Sequence, residues 1–220
     1  MRFDFTFHEL SRFKQEILIK LNQQFFFLFV FSLCYYNGCS SKSTLKPNKL
    51  DIAIHSRDDW KSLPIDSGYT SHKIKFITLH HSGVVFEGDT PIPEYMRNIQ
   101  KWSRSERNWP DIPYHFLIDL KGKTWEGRPL QYKGDTNTEY DPTGHALISV
   151  IGNYEEQEIS SEQLDAVVKL MAALCKSFGL NTDKIKSHKD FVPSTLCPGK
   201  NLYSYMKDGS LIEKVKTHLN

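Results

Sequence analysis

The chain has 220 residues, which is enough for one domain with a substantial hydrophobic core and a further segment. Its 28 Lys and Arg residues nearly balance its 26 Asp and Glu residues, and no dense basic stripe runs along the sequence. This charge pattern gives nucleic-acid binding no electrostatic support, so we expect no nucleic-acid partner.

The first 39 residues have the layout of an export signal. An apolar run of about a dozen residues follows Lys20, and it is too short to span a bilayer comfortably. Small polar residues come next, which completes the usual order of basic flank, apolar region and processing point. We therefore expect an exported protein that is secreted or held in the cell envelope. An uncleaved anchor or a buried helix is the alternative interpretation of the run.

The junction at Cys39 resembles that of a bacterial lipoprotein. Gly38 precedes the cysteine, and small polar residues follow it. The resemblance predicts that Cys39 is lipidated and attaches the protein to a membrane, as a periplasmic or envelope lipoprotein. Residues 40–50 are rich in Ser, Lys and Pro and predict a linker, so we expect the folded domain at 51–220.

The four cysteines leave no pair for a disulfide. Cys34 lies in the apolar run, Cys39 is the candidate lipid site, and Cys197 is a candidate metal ligand. Cys175 lies on the apolar face of a predicted helix, where a small buried thiol is the ordinary interpretation. We expect a monomer that is held together by its hydrophobic core and by a metal ion.

The folded part begins with a short turn at 56–60. Residues 74–79 are alternating and β-branched, which predicts a strand that ends at two histidines. Residues 91–102 predict a helix, because large apolar side chains recur at three- and four-residue spacing from Tyr95 onward. The same spacing assigns Trp102 to the buried stripe of that helix.

A hairpin is predicted next, with strands at 114–120 and 123–126 on either side of a Lys-Gly turn. The strongly apolar segment 145–151 predicts a further strand. Because strands and helices alternate along the chain, we predict an α/β fold, a single three-layer domain in which helices flank a central mixed β-sheet.

Two helices complete the predicted domain. Ser160 and Gln163 form a capping-box pattern that opens the first of them. That helix is predicted to end near Phe178, because Gly179 stands where a glycine commonly terminates a helix. The second helix is predicted at about 211–219.

Three side chains have the chemistry of zinc ligands. His80 closes the early strand, whereas His188 and Cys197 stand on either side of a late, proline-containing segment. Two imidazoles and a thiol with a fourth position left open are typical of a catalytic zinc site. Such a site lowers the pKa of a bound water and polarises a carbonyl, so hydrolysis is the first hypothesis.

The catalytic zinc site has two alternative interpretations. His80 taken alone would more commonly be an ordinary histidine at the end of a strand. Zinc as a purely structural clip would need a fourth protein ligand, and His81 is the nearby candidate. Because side chains alternate along a strand, His81 is expected to point to the face opposite His80.

Short motifs in a fixed order give this chain a family resemblance. They are Leu-His-His-Ser-Gly at 79–83, Pro-Tyr-His-Phe-Leu-Ile at 113–118, Trp-Glu-Gly-Arg at 125–128, Ile-Gly-Asn at 151–153, and His-Lys-Asp at 188–190 with Cys-Pro-Gly at 197–199. They resemble the zinc-dependent N-acetylmuramoyl-L-alanine amidases, the amidase type 2 group that includes T7-type phage lysozyme and the peptidoglycan recognition proteins. The resemblance covers residues 52–203. It implies that family's fold, Zn²⁺ as cofactor, and peptidoglycan or a muropeptide as substrate.

The resemblance also implies roles for single residues. His80, rather than His81, matches the family's first zinc ligand, and His188 and Cys197 match the other two. Tyr114 matches the active-site tyrosine, whose hydroxyl hydrogen-bonds the attacking water or the developing oxyanion. Thr195 falls where some members carry a lysine and others a threonine, and it is the second catalytic candidate.

Ser149 stands where cytosolic anhydro-muropeptide amidases carry a glutamate base. This difference makes the recognition-protein subgroup the nearer comparison. The implied activity is hydrolysis of the amide bond between N-acetylmuramic acid and L-alanine. A non-catalytic, muropeptide-binding recognition protein is the alternative, although the complete ligand set and Tyr114 favour the enzyme.

Candidates for substrate contact are His81, His115, His145 and Trp109. Hydrogen bonding within the sheet is the competing interpretation of His81 and His115, and a structural role is the competing one for His145. Trp102 and Trp109 are candidates to stack on a sugar. Trp109, in the loop before Tyr114, is the better candidate at the rim of the site, whereas the buried helix stripe is the preferred interpretation of Trp102.

Two polar pairs are predicted to support the structure. Glu126 and Arg128 are expected to form a mutual or structural ion pair, with contact to a substrate groove as the alternative. Lys189 and Asp190 are candidates to orient His188, because a metal-bound imidazole needs a partner on its other ring nitrogen.

Overall fold

The computed structural model describes residues 50–64 and 68–220. The export signal at 1–39, the lipidation of Cys39 and nearly all of the linker at 40–50 lie outside the described residues. Leu50, the last residue of that linker, is buried and belongs to the main core. In the described part of the chain, no helix is both long enough and apolar enough to cross a bilayer.

Six strands form one mixed sheet. They are β1 (Ile54–His55), β2 (Phe76–His81), β3 (Phe116–Ile118), β4 (Thr124–Glu126), β5 (His145–Val150) and β6 (Ile185–Ser187). Their order across the sheet is β1-β4-β3-β5-β2-β6. The predicted hairpin is present as the antiparallel pair β3–β4, and the other neighbours are parallel.

Five helices accompany the sheet in the described residues. They are α1 (Ile92–Arg107), α2 (Ser161–Phe178), α3 (His188–Phe191), α4 (Lys200–Lys207) and α5 (Ser210–Leu219). Short 3-10 turns occur at Asp58–Trp60 and Thr182–Lys184. The helix predicted at 91–102 is longer than expected, since it continues through the polar residues after Trp102 as far as Arg107. Helix α4 was not predicted.

The predicted ends of α2 are confirmed. The Ser160 hydroxyl accepts the backbone N–H of Gln163, and the Gln163 side chain accepts the backbone N–H of Ser160. Gly179 ends the helix with φ of 61°, in the left-handed region that a glycine adopts without a steric cost.

Both faces of the sheet are covered, which gives the predicted three layers. On β3, Phe116 and Ile118 join the core beneath α2 and α5, whereas Leu117 between them joins a second core with Trp60 and Met96. Side chains alternate between the faces of a strand, so a strand buried on both faces reads as a continuous apolar run.

Parallel pairing brings the late residues beside the early histidines. His80 on β2 lies opposite Ser149 on β5, and Leu79 lies opposite Ser187 at the end of β6. The residue after β6 is His188, so the register places it next to His80. The carboxyl ends of these strands therefore form the edge where an open α/β sheet most often binds its ligand.

Candidate metal centre and cleft

The structure brings His80, His188 and Cys197 together. One ligand atom from each lies within 4.8 Å of the others, and both histidines are buried. The Cys197 Sγ lies 3.5 Å from Nδ1 of His80. Across residues 50–64 and 68–220, no further His, Cys, Asp or Glu side chain joins this group. His81 is thus not placed as the fourth ligand that a structural clip would need.

The segment between His188 and Cys197 is held by its own hydrogen bonds. The Lys189 ammonium donates to the carbonyl of Thr195 at 2.8 Å, and the N–H of Cys197 donates to the Thr195 hydroxyl at 3.2 Å. Gly199 then packs so closely that an added Cβ would lie 2.3 Å from the carbonyl carbon of Tyr154. The ligand loop is therefore fixed at both ends.

Asp190 does not orient His188, contrary to the sequence expectation. Its carboxylate accepts the backbone N–H of Ser187 at 2.6 Å and the Ser187 hydroxyl at 2.9 Å. These bonds form a capping box on α3, because the Ser187 hydroxyl also accepts the N–H of Asp190. Asp190 thus supports the helix that begins at His188 and leaves the imidazole to another partner.

Burial controls the protonation of the three candidate ligands. Burial, and next the neighbouring His188, hold the pKa of His80 well below its ordinary value. Burial also lowers the pKa of His188 to about 4. Both imidazoles are consequently neutral near pH 7 and offer a lone pair. Burial raises the pKa of the Cys197 thiol to about 12, so a metal would have to displace its proton on binding.

One orphaned atom indicates where a metal would sit. Nδ1 of His188 is buried and has no hydrogen-bond partner, whereas its Nε2 is bonded to Thr138. A buried polar atom without a partner is costly, and a bound cation beside it would satisfy it. Two imidazole nitrogens and one thiolate form a set that suits Zn²⁺, so the residues present fit the metal.

A cleft of about 500 Å³ opens over the candidate ligands. Besides those ligands, its walls include His81, Trp102, Trp109, Tyr114, Thr138 and Thr195. Both predicted catalytic residues, Tyr114 and Thr195, thus reach the same space as the metal group. Such a volume is within the usual range of small-ligand sites.

Tyr114 lies beside the metal group. Its ring centroid is 5.4 Å from that of His80. Burial, followed by the nearby Cys197, holds the pKa of the Tyr114 phenol well above its ordinary value. The phenol therefore keeps its proton at neutral pH and is available as a hydrogen-bond donor.

Comparisons with known proteins agree with this geometry. The family model described as N-acetylmuramoyl-L-alanine amidase matches residues 70–200. The chain belongs to this amidase family. Peptidoglycan recognition protein 1 of Mus musculus is 29% identical over 158 residues, which cover 70% of this chain and 86% of the relative.

Two solved structures show the same amidase fold. The crystal structure of Drosophila peptidoglycan recognition protein SD aligns with a TM-score of 0.63 and 29% identity, over 71% of this chain and 94% of that one. A Drosophila PGRP-LB variant in complex with tracheal cytotoxin aligns with a TM-score of 0.60 and 26% identity, over 70% and 92%. The predicted family and fold class are therefore confirmed.

The predicted substrate contacts of this amidase-family chain divide into two groups. His81 and Trp109 line the cleft. The Nδ1 of His81 accepts the N–H of Tyr154 at 3.1 Å, which fixes its ring, and burial lowers its pKa to about 4. Trp109 meets Trp102 edge to face, with ring centroids 5.8 Å apart.

His115 and His145 are not brought to the cleft. His115 is fully buried, its Nε2 donates to the carbonyl of Tyr132, and its Nδ1 accepts the N–H of Leu147. His145 is bonded through Nδ1 to the Thr78 hydroxyl at 2.8 Å. Both rings are therefore held inside the fold, since His115 bonds around the sheet and the His145 ring also lies 4.7 Å from that of Phe191 on α3.

Acid is expected to destabilise the fold through His115. Burial lowers the pKa of His115 to about 3, whereas the unfolded chain binds a proton near the ordinary value of 6.5. Between these values the unfolded state holds more protons, so stability is lost as the pH falls, by up to about 1.4 kcal/mol per pH unit. Urea unfolding at several values between pH 7 and pH 4 gives the free energy of unfolding of wild type and of His115→Asn. The difference between these two free energies should become smaller as the pH falls. A difference that stays constant would show that folding does not change the pKa of His115.

Trp102 differs from expectation, and Arg128 does so only in the partner of its structural ion pair. Trp102 is 40% exposed and faces the cleft, because α1 buries Met96, Gln100 and Ser103 instead. Arg128 is buried as a structural residue, but its carboxylate partner is Asp135 at 2.6 Å rather than Glu126.

Sequence reasoning missed Thr138 and Tyr140. The Thr138 hydroxyl lies 2.8 Å from Nε2 of His188, and the Tyr140 hydroxyl lies 3.3 Å from Nε2 of His80. Both residues belong to a polar connection before β5 that has no helical or strand periodicity. The one available signal was general, since a metal-bound imidazole needs a partner on its other nitrogen.

Proposed function

We propose that this protein is a zinc-dependent hydrolase that cleaves the amide bond between N-acetylmuramic acid and L-alanine in peptidoglycan. The observation that carries the proposal is the complete group of His80, His188 and Cys197 at the floor of a cleft that also contains Tyr114. Three ligands without a fourth protein donor are what a catalytic site requires, because substrate and water need the remaining positions.

The three ligands would hold Zn²⁺, which supplies charge that polarises a carbonyl and lowers the pKa of water. The chain's own residues do the rest. The protonated phenol of Tyr114 donates a hydrogen bond to the carbonyl oxygen as negative charge develops on it. Because the Thr195 oxygen already accepts the N–H of Cys197, its own O–H is the group left to donate toward the cleft.

The reaction is a hydrolysis whose atoms balance without a further reactant. The carbon–nitrogen bond of the lactyl–L-alanine amide breaks, and water supplies a hydroxyl to the lactyl carboxyl group and a proton to the departing amine. Burial lowers the pKa of His81, so this residue of the cleft wall is neutral at pH 7. The products are a glycan fragment and a stem peptide with a free N-terminal L-alanine.

The relatives and the cleft support peptidoglycan or a muropeptide as the substrate class. The PGRP-LB neighbour was solved with tracheal cytotoxin. Here Trp102 and Trp109 supply an aromatic wall, which suits the C–H faces of a sugar or the apolar part of a peptide. Export by residues 1–39 belongs to the same proposal, because peptidoglycan lies outside the cytoplasmic membrane. Attachment through Cys39 and a monomeric state are proposed with it on the sequence alone.

Incubation with purified muropeptide, followed by mass spectrometry, tests the proposal. We expect free stem peptide to be released, to disappear when a zinc chelator is added, and to return when Zn²⁺ is restored. Release that is indifferent to the chelator would contradict the metal assignment. Tight binding of intact muropeptide without release, at saturating zinc, would instead support the recognition-protein alternative.

A further inference from the structure

A short polar segment, residues 136–140, contacts both candidate histidine ligands. The Thr138 hydroxyl lies 2.8 Å from Nε2 of His188, and the Tyr140 hydroxyl lies 3.3 Å from Nε2 of His80. One segment thus reaches the outer nitrogen of each imidazole, although His80 ends β2 and His188 begins α3, far apart in the sequence.

The inner nitrogens determine the direction of these hydrogen bonds. Nδ1 of His188 is buried without a partner, and Nδ1 of His80 lies 3.5 Å from Sγ of Cys197. If both Nδ1 atoms offer lone pairs to a metal, each neutral ring carries its proton on Nε2. The Thr138 and Tyr140 hydroxyl oxygens must then accept hydrogen bonds from those N–H groups. The Thr138 O–H can in turn donate to the Thr136 hydroxyl, 2.9 Å away, so the directions of the hydrogen bonds are consistent.

The segment is firmly attached to the domain. Asp135, directly before it, pairs with the buried Arg128 at 2.6 Å and donates its N–H to the carbonyl of Pro113. At the other end, the Tyr140 ring stacks on Phe191 of α3 at an interplanar angle of 14°. Both hydroxyls are therefore held in place and are not free surface groups.

We infer that Thr138 and Tyr140 are positioning residues that fix the tautomer and the ring orientation of His188 and His80 for zinc binding through Nδ1. This inference rests on the proposed zinc site. The hydroxyls act before the metal binds, because they accept hydrogen bonds from the Nε2–H groups. The Nε2-protonated tautomer is thereby favoured, and the Nδ1 lone pairs stay free for the metal. Outer partners of this kind typically change metal affinity by about 10- to 100-fold when removed.

Zinc affinity of the metal-free protein, measured by competition with a chromophoric chelator, tests the inference. Thr138→Val keeps the shape of the side chain but removes the acceptor, and we expect zinc binding about 10- to 100-fold weaker. Thr138→Ser keeps the hydroxyl and should bind within about threefold of wild type. Thr143→Val is the matched control, since that exposed hydroxyl bonds only to Asp141 on the same connection.

Ring-nitrogen NMR of the metal-free protein supplies a readout that a general loss of stability would not change. We expect His188 to carry its proton on Nε2 in wild type and in Thr138→Ser, and to populate the other tautomer in Thr138→Val. Tyr140→Phe retains the ring that stacks on Phe191 and gives an independent test at His80. Its effect on affinity should be nearer tenfold, because the 3.3 Å contact is longer.

The outcomes separate the two proposals. Zinc binding by Thr138→Val as tight as by wild type, with the Nε2-protonated tautomer unchanged, would overturn the positioning role. Weak zinc binding by wild type itself would overturn the proposed function. If Thr138→Val does not fold, Tyr140→Phe provides the test. Unchanged zinc affinity together with an unchanged His80 tautomer in Tyr140→Phe would then reject the inference.

Discussion

The Cys197→Ala variant is expected to lose zinc and, with it, amidase turnover. The thiol is one of three ligand atoms within 4.8 Å of one another, and alanine leaves two imidazoles to hold the metal. Metal polarisation contributes several kcal/mol of transition-state stabilisation, so kcat/KM should fall on the order of 10³-fold or more. Zinc content per chain and the rate of stem-peptide release measure the two effects on one sample.

Cys175→Ala is the matched control for this loss. Cys175 is a free, buried thiol on α2, in the main core and outside the metal group. Its removal deletes one buried sulfur, so we expect about 1 kcal/mol of lost stability and normal zinc content. If Cys197→Ala retained full zinc and more than a tenth of wild-type turnover, the ligand assignment would be wrong.

The Tyr114→Phe variant should retain zinc but turn over slowly. The phenol lies beside His80, and burial keeps it protonated, so its removal deletes a donor without removing a ligand. Loss of one oxyanion donor costs about 10²- to 10³-fold in kcat. KM should change by less than about threefold, because the bond strengthens only in the transition state.

Steady-state kinetics on a defined muropeptide, with zinc content measured in parallel, distinguish this role from a structural one. Tyr205→Phe is a suitable control, because that partly buried ring packs against the main core. A raised KM with unchanged kcat in Tyr114→Phe would make Tyr114 a binding residue. An unchanged kcat and KM would remove it from the mechanism.

Much of the fold was predictable, because its signals are local. The capping box at Ser160 and Gln163, the glycine after α2 and the hairpin of β3 and β4 each depend on residues close in sequence. The clustering of His80, His188 and Cys197 was also predictable, although these residues are far apart in sequence, because the order of the motifs pointed to it.

The errors have a physical origin in long-range packing. Periodicity identifies an apolar stripe but not the face that the domain covers, and α1 buries the polar Gln100 and Ser103 while Trp102 faces the cleft. His115 is a histidine near the site in sequence, yet its ring is used to bond β5 and the segment at Tyr132. Thr138 and Tyr140 depend wholly on tertiary contacts, which no local pattern encodes.

The position of the new oxygen atom tests the central claim most directly. The zinc-loaded protein would be incubated with muropeptide in water enriched in oxygen-18, and both products analysed by mass spectrometry. We predict one heavy oxygen in the lactyl carboxyl group of the glycan fragment and an unlabelled stem peptide with a free N-terminal L-alanine. Oxygen-18 in any other group of the products would contradict the account. Muropeptide that stays intact after prolonged incubation with the zinc-loaded protein would contradict it as well.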